Sequence, residues 1–175
     1  CRWSQPAVEG TLGLQKNHGI KPETINKIKV FTFHEAVRLT CRRPLTTEEA
    51  QYSLPFPLAA ALVYGRLGAL ELSLAALKDL TVLRLSECVE MIEEEKFNAR
   101  FPAQRFARVE IETNQGEIYD SGEVEPKWDA AAPPTDDELR EKFRWLAREL
   151  LPDPRTAELE KMIWHCEALP DAAEI

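Results

Sequence analysis

Positions 54–64 carry no charged residue, and that run limits the folds open to the chain more than any other stretch does. It reads as a helix that is apolar nearly all round, and such a helix has to be covered on most of its sides by other structure. Its entrance is polar: Gln51, Tyr52 and Ser53 lead in. Ser53 is expected to cap the helix, its oxygen accepting from an orphan backbone N–H. Pro55 and Pro57 fall in the first turn, where a missing N–H is tolerated. Gly65 supplies the stop.

The rest of the chain has to provide the cover. Ser4 is placed to cap a helix over 5–17, with Pro6 in its first turn and Gly19 ending it. Gly10 and Gly13 weaken that helix by roughly 1 kcal/mol each relative to Ala, so it depends on packing or on close backbone approach. Ile28 and Val30 alternate with Lys27 and Lys29, giving a half-buried strand over 25–33. Thr46 and Glu49 form a capping signature ahead of the apolar helix. Beyond Gly65, a short helix is expected over 74–79, and Asp79 caps another over 80–86. Positions 88–92 read as a second strand. Positions 106–113 and 117–124 flank Asn114-Gln115-Gly116 as a hairpin, with Val109 and Ile111 on one face and Arg108, Glu110 and Glu112 on the other.

The C-terminal quarter turns helical. Thr135 and Glu138 make a capping box, and Leu139, Phe143, Leu146 and Leu150 lie on one stripe expected to face the core. Pro152 and Pro154 end that helix. Thr156 caps the last one, with Leu159, Met162, Ile163 and Cys166 as its stripe and a frayed tail after Pro170. The sum is an α+β fold: a two-layer domain over 1–170, with a roughly four-stranded, mainly antiparallel sheet packed against helices, and 171–175 as a tail.

Chemistry is sparse in these patterns. A net charge of −8 and a pI near 5.0, with no basic tract, argue against nucleic acid or an anionic membrane as partner. No run is long and apolar enough to span a membrane, and a cytoplasmic location is expected. Cys1, Cys41, Cys88 and Cys166 lack metal-site spacing and read as reduced thiols. Glu93, Glu94 and Glu95 form a solvated loop rather than a calcium site, because spaced oxygen ligands and a bend glycine are missing. His18, His34 and His165 have no evident partner that would make them acids or bases. Arg38, Arg42 and Arg43 form the local cationic cluster, read as a solvated connection or, alternatively, as an anion or interface contact. The patterns alone describe an α+β domain without a complete active site, and a non-catalytic ligand-binding or interaction module fits them as well.

A resemblance adds to this. The segment from Ala50-Gln51-Tyr52-Ser53-Leu54-Pro55 through Ala59-Ala60-Ala61-Leu62-Val63-Tyr64-Gly65 resembles the hallmark of the MmgE/PrpD family, which includes 2-methylcitrate dehydratase, cis-aconitate decarboxylase and iminodisuccinate epimerase. The opening Cys1-Arg2-Trp3-Ser4-Gln5-Pro6-Ala7, the strand, the stretch from Leu77-Lys78-Asp79 to Val89, the hairpin with Gly116, and Leu139 to Phe143 follow in the family's order. The resemblance implies the family's C-terminal domain, with a larger all-helical N-terminal domain outside this chain, as an opening Cys1 in place of Met also suggests. It implies a dehydratase of the 2-methylcitrate type acting on a small polycarboxylate, with no cofactor and no metal. It further implies a homodimeric full-length protein and an inactive isolated chain. The matching positions make Cys1, Arg2, Gln5, Gln51 and Ser53 the candidate substrate-binding residues, none of them catalytic. Gln5 stands where the family often has His, and a glutamine amide can orient a carboxylate but cannot relay a proton near neutral pH. The N-terminus of the apolar helix is expected to add N–H donors for a carboxylate.

Overall fold

Alternation in the first strand sets the sheet. In the computed structural model, which describes residues 1–168, 171 and 173, β1 (Ile25–Thr32) buries Ile28, Val30 and Thr32 on one face and turns Lys27 and Lys29 to the other. β3 (Ala107–Thr113) does the same with Ala107, Val109, Ile111 and Thr113. The two pair antiparallel, Val30 opposite Val109 and Ile28 opposite Ile111, so their apolar faces merge. β2 (Val89–Glu93) adds to β1 in parallel, and β4 (Ile118–Asp120) adds to β3 antiparallel, giving the order β2-β1-β3-β4. The fold is α+β with four strands, as expected. The sheet is mixed rather than mainly antiparallel, because a parallel pair needs a long crossover and the helices between β1 and β2 provide it.

Those helices are the cover the apolar run demanded. After α1 (Gln5–His18), α2 (His34–Val37) and α3 (Thr47–Gln51), α4 (Pro55–Tyr64) buries every residue from Pro55 to Leu62. α5 (Leu80–Glu87) follows it, and α6 (Glu95–Asn98) is a short turn of helix in the link that reads as a loop in the sequence. Phe56, Leu58 and Leu62 of α4, Ala7 and Leu14 of α1, Leu85 of α5 and the inner faces of β1 and β3 belong to one core. Gly65 ends α4 in the left-handed conformation that a side chain would strain. The phenol of Tyr64 reaches back to Asp79, 2.9 Å away. Burial and that carboxylate push the phenol up to about 12. Burial alone would push the Asp79 carboxyl up as well. The Tyr64 hydroxyl and the Val82 and Thr81 N–H groups outweigh it and hold the carboxyl below its usual range.

In the first unit two capping expectations change. Ser4 does not cap α1, because its hydroxyl donates to the Cys1 carbonyl instead. Thr46 caps the separate short helix α3, where it accepts from the Glu49 N–H, and not α4. Thr113, Gly116 and Glu117 close the β3–β4 hairpin, with Gly116 at a positive φ of 83°. β4 is three residues long, shorter than the alternation suggests, and Val124 pairs with Ala107 beyond it as an isolated bridge.

The chain divides into two compact units, Cys1–Lys127 and Trp128–Ile175. The second holds α7 (Asp136–Ala147) and α8 (Asp153–Trp164). Thr135 and Glu138 form the expected capping box on α7. The expected core stripe does not become one, since α7 has no buried residue and Leu139, Leu146 and Leu150 are exposed. Thr156 is not the cap of α8, which begins at Asp153 because Pro154 fits a first turn. The tail expected after Pro170 falls on residues that, Asp171 and Ala173 apart, lie outside the described set.

The two glycines inside α1 part company. A Cβ on Gly10 would come within 3.1 Å of Ser121 Oγ and 3.4 Å of Val124, so its absence admits the segment after β4. A Cβ on Gly13 would meet nothing within 4 Å. Gly13→Ala should therefore stabilise the chain by about 1 kcal/mol in urea unfolding. Gly10→Ala should yield less or reverse sign, and equal gains from both would refute the close packing of α1.

Candidate functional site

The first five residues and the turn before α4 meet at one edge of the first unit. The Cys1 α-amino group donates to the Gln51 carbonyl at 3.0 Å. Arg2 Nη1 donates to Gln5 Oε1 and to the Lys127 carbonyl, the latter at 2.9 Å. Four of the five sequence-predicted site residues, Cys1, Arg2, Gln5 and Gln51, thus share one exposed or half-buried edge. Trp3 anchors it from behind by edge-on contact with Phe33 and Phe101, whose own rings stack 4.6 Å apart.

Arg2 fixes the sense of the Gln5 amide. With Oε1 accepting from a guanidinium, the group left for another partner is the amide nitrogen, a donor and not an acceptor. The Gln51 side chain is exposed and makes no hydrogen bond among the described residues. Together the edge offers one cation and two primary amides. That set suits a carboxylate or a hydroxyl, and neither the guanidinium nor the amides can take up and return a proton near neutral pH.

Ser53 lies apart from this edge. It is fully buried, its hydroxyl donates to the Cys41 carbonyl, and the same oxygen accepts from the Phe56 N–H at 3.3 Å. It therefore ties the loop at Cys41 to the start of α4, a part of its expected capping role, and it determines how the Gln51 turn enters the helix. The N-terminus of α4 offers no donor to a carboxylate: Pro55 and Pro57 have no N–H, and that of Phe56 is spent on Ser53. The N–H donors expected there for a carboxylate are therefore absent.

The remaining candidates resolve into structural contacts. Arg42 donates to the Val89 carbonyl and Arg43 pairs with Glu87, so both hold the connection after α2 against α5 and β2. His34 pairs with Glu93, and His18 lies against Tyr119 with ring centroids 4.6 Å apart. Glu93 and Glu95 both accept from Asn98. No group of three His, Cys, Asp or Glu among the described residues could hold a metal ion, and all four cysteines are free thiols. Among the described residues no helix is long and apolar enough to cross a membrane. Sequence reasoning missed the carbonyls of Lys127 and Cys41, since a backbone acceptor has no sequence signature.

A family model described as the MmgE/PrpD C-terminal domain matches residues 1–167. A cis-aconitate decarboxylase-like protein, oryM, of Aspergillus oryzae (strain ATCC 42149 / RIB 40) is 31% identical over 135 residues, which make up 76% of this chain and 27% of that protein. The chain thus spans little more than a quarter of the relative it matches.

Ser53 and Gln51 separate structure from binding. Ser53→Ala leaves a part-buried carbonyl and a buried N–H without their partner and should cost about 1–3 kcal/mol of stability. Gln51→Ala, at an exposed side chain without a partner, should leave the melting temperature where it is. Thermal unfolding checks both, and an unchanged Ser53→Ala would contradict the tie between Cys41 and α4.

Proposed function

The chain belongs to the MmgE/PrpD family, in the part described as its C-terminal domain, and on that premise we propose that it supplies the substrate-holding side of a lyase acting on a small polycarboxylate. The observation that carries this reading is the convergence of Cys1, Arg2 and Gln5 with Gln51 through the bond from the Cys1 nitrogen to the Gln51 carbonyl. Arg2 meets a substrate carboxylate as the cation. Gln5 and Gln51 donate to its oxygens, Cys1 borders them, and Ser53 acts as a positioning residue through the turn beneath Gln51.

Dehydration of a hydroxy-tricarboxylate of the 2-methylcitrate kind is the first reading. Removing a proton alpha to a carboxylate moves negative charge onto its oxygens, and donors preset around those oxygens lower the barrier. Decarboxylation of an unsaturated tricarboxylate is the second reading, favoured by the printed name of the relative from Aspergillus oryzae. It needs the same donors on the carboxylates that stay behind. Proton transfer in either case falls to groups in the helical domain that the resemblance implies, since neither the Arg2 guanidinium nor the two amides can relay a proton near neutral pH.

In the full-length protein, Arg2→Ala and Gln51→Ala should each raise KM by about tenfold, the scale of one hydrogen bond to a charged group. Loss of water or of carbon dioxide from a tricarboxylate panel distinguishes the two readings. The 175-residue chain alone should turn over neither substrate. Unchanged kinetics in both variants, or robust turnover by the chain alone, would defeat the proposal.

A further inference from the structure

The second unit sorts its charges. By sequence, positions 128–175 hold twelve Asp and Glu against six Lys and Arg. Four of those six, Arg140, Arg144, Arg148 and Lys161, line a single cleft of about 330 Å³ along the seam of α7 and α8, with Asp153 and Glu160 as the acids facing it. An acidic unit thus presents a cleft with four cations and two anions. Of the other two cations, Lys142 lies over the Trp128 ring and Arg155 pairs with Glu158, while at the cleft the Arg140 guanidinium also lies over the Trp164 ring, 4.0 Å from its centroid.

The acids do not exhaust the cations. Glu160 is buried and accepts from Nε and Nη2 of Arg144 and from Nη1 of Arg140, which leaves Nη1 of Arg144 and both Nε and Nη2 of Arg140 uncommitted to it. Arg144 first, burial opposing, and Arg140 next hold the Glu160 carboxyl below its usual range, so it stays ionised and keeps both guanidinium groups oriented. Arg148 pairs with Asp153, both exposed. Lys161 makes no ion pair among the described residues. A second observation points the same way. Thr156 lines the cleft at 2% exposure, and its hydroxyl has no hydrogen-bond partner. A buried helical threonine usually satisfies its hydroxyl on the preceding turn, and this one does not.

We propose that the cleft between α7 and α8 is a binding site for a small multivalent oxyanion, of phosphate or carboxylate type, held by Lys161 and the arginines of α7, with the Thr156 hydroxyl donating to one of its oxygens. The site lies entirely within the second unit and does not depend on the Cys1–Gln51 edge.

The test titrates the full chain with sodium phosphate and, separately, with sodium citrate, against sodium chloride at matched ionic strength, following backbone amide shifts of α7 and α8 by NMR. Saturable shifts centred on Arg144 and Thr156 are expected with at least one of the two anions and not with chloride, and whichever anion saturates at lower concentration names the class. Lys161→Gln should weaken binding about tenfold. Thr156→Val should also weaken it while leaving the free chain as stable or more so, since it removes an unpartnered buried hydroxyl. Absence of saturation with both anions, or an affinity that neither variant changes, would overturn the proposal.

Discussion

The burial of α4 on all sides is the constraint the first unit is built around. A helix with Pro55 to Leu62 removed from water needs a sheet face, two flanking helices and a satisfied entrance, and each has an identifiable source. β1 and β3 supply the face, α1 and α5 the flanks. The entrance is the demanding part. Two prolines remove N–H groups that would otherwise be orphaned, and Ser53 satisfies the one between them while holding the Cys41 loop. A polar residue at the mouth of an apolar helix thus serves the fold before it serves any ligand.

That arrangement decides what can face a substrate. Because the α4 terminus is sealed, the edge proposed to face a substrate lies ahead of the helix at Gln51 and at the first residues of the chain. Arg2, pinned by the Lys127 carbonyl, orients Gln5 as a donor. Guanidinium and amide groups bind and polarise; they do not relay protons near neutral pH. The division of labour proposed for the family member, with donors here and acid-base groups elsewhere, follows from which side chains are present at the edge.

Much of the fold was legible in the residues. Alternation at Ile28 and Val30, turn chemistry at Gly116, the Thr135 capping box and the apolar run of α4 each act over a few neighbours, so a sequence pattern determines them locally. What was not legible depends on partners far along the chain. The parallel pairing of β1 with β2 is set by the crossover and not by either strand's pattern. The stripe of Leu139, Leu146 and Leu150 shows which face of α7 is apolar but not what covers it. At the proposed site, Arg2, Gln5 and Gln51 were singled out through the family's motif order, and the structure brings them to one edge. The burial of Ser53 and the carbonyls of Cys41 and Lys127 could only come from the tertiary arrangement.

The central claim, that the edge formed by Arg2, Gln5 and Gln51 holds a substrate carboxylate, is tested most directly by a crystal structure of the full-length protein with tricarballylate, a tricarboxylate with neither a hydroxyl to lose nor a double bond. The account predicts a carboxylate oxygen within hydrogen-bond distance, about 2.7–3.2 Å, of the Gln5 amide nitrogen or the Arg2 guanidinium, with Gln51 donating to the same ligand. Tricarballylate bound elsewhere, with these three side chains facing bulk water, would contradict it.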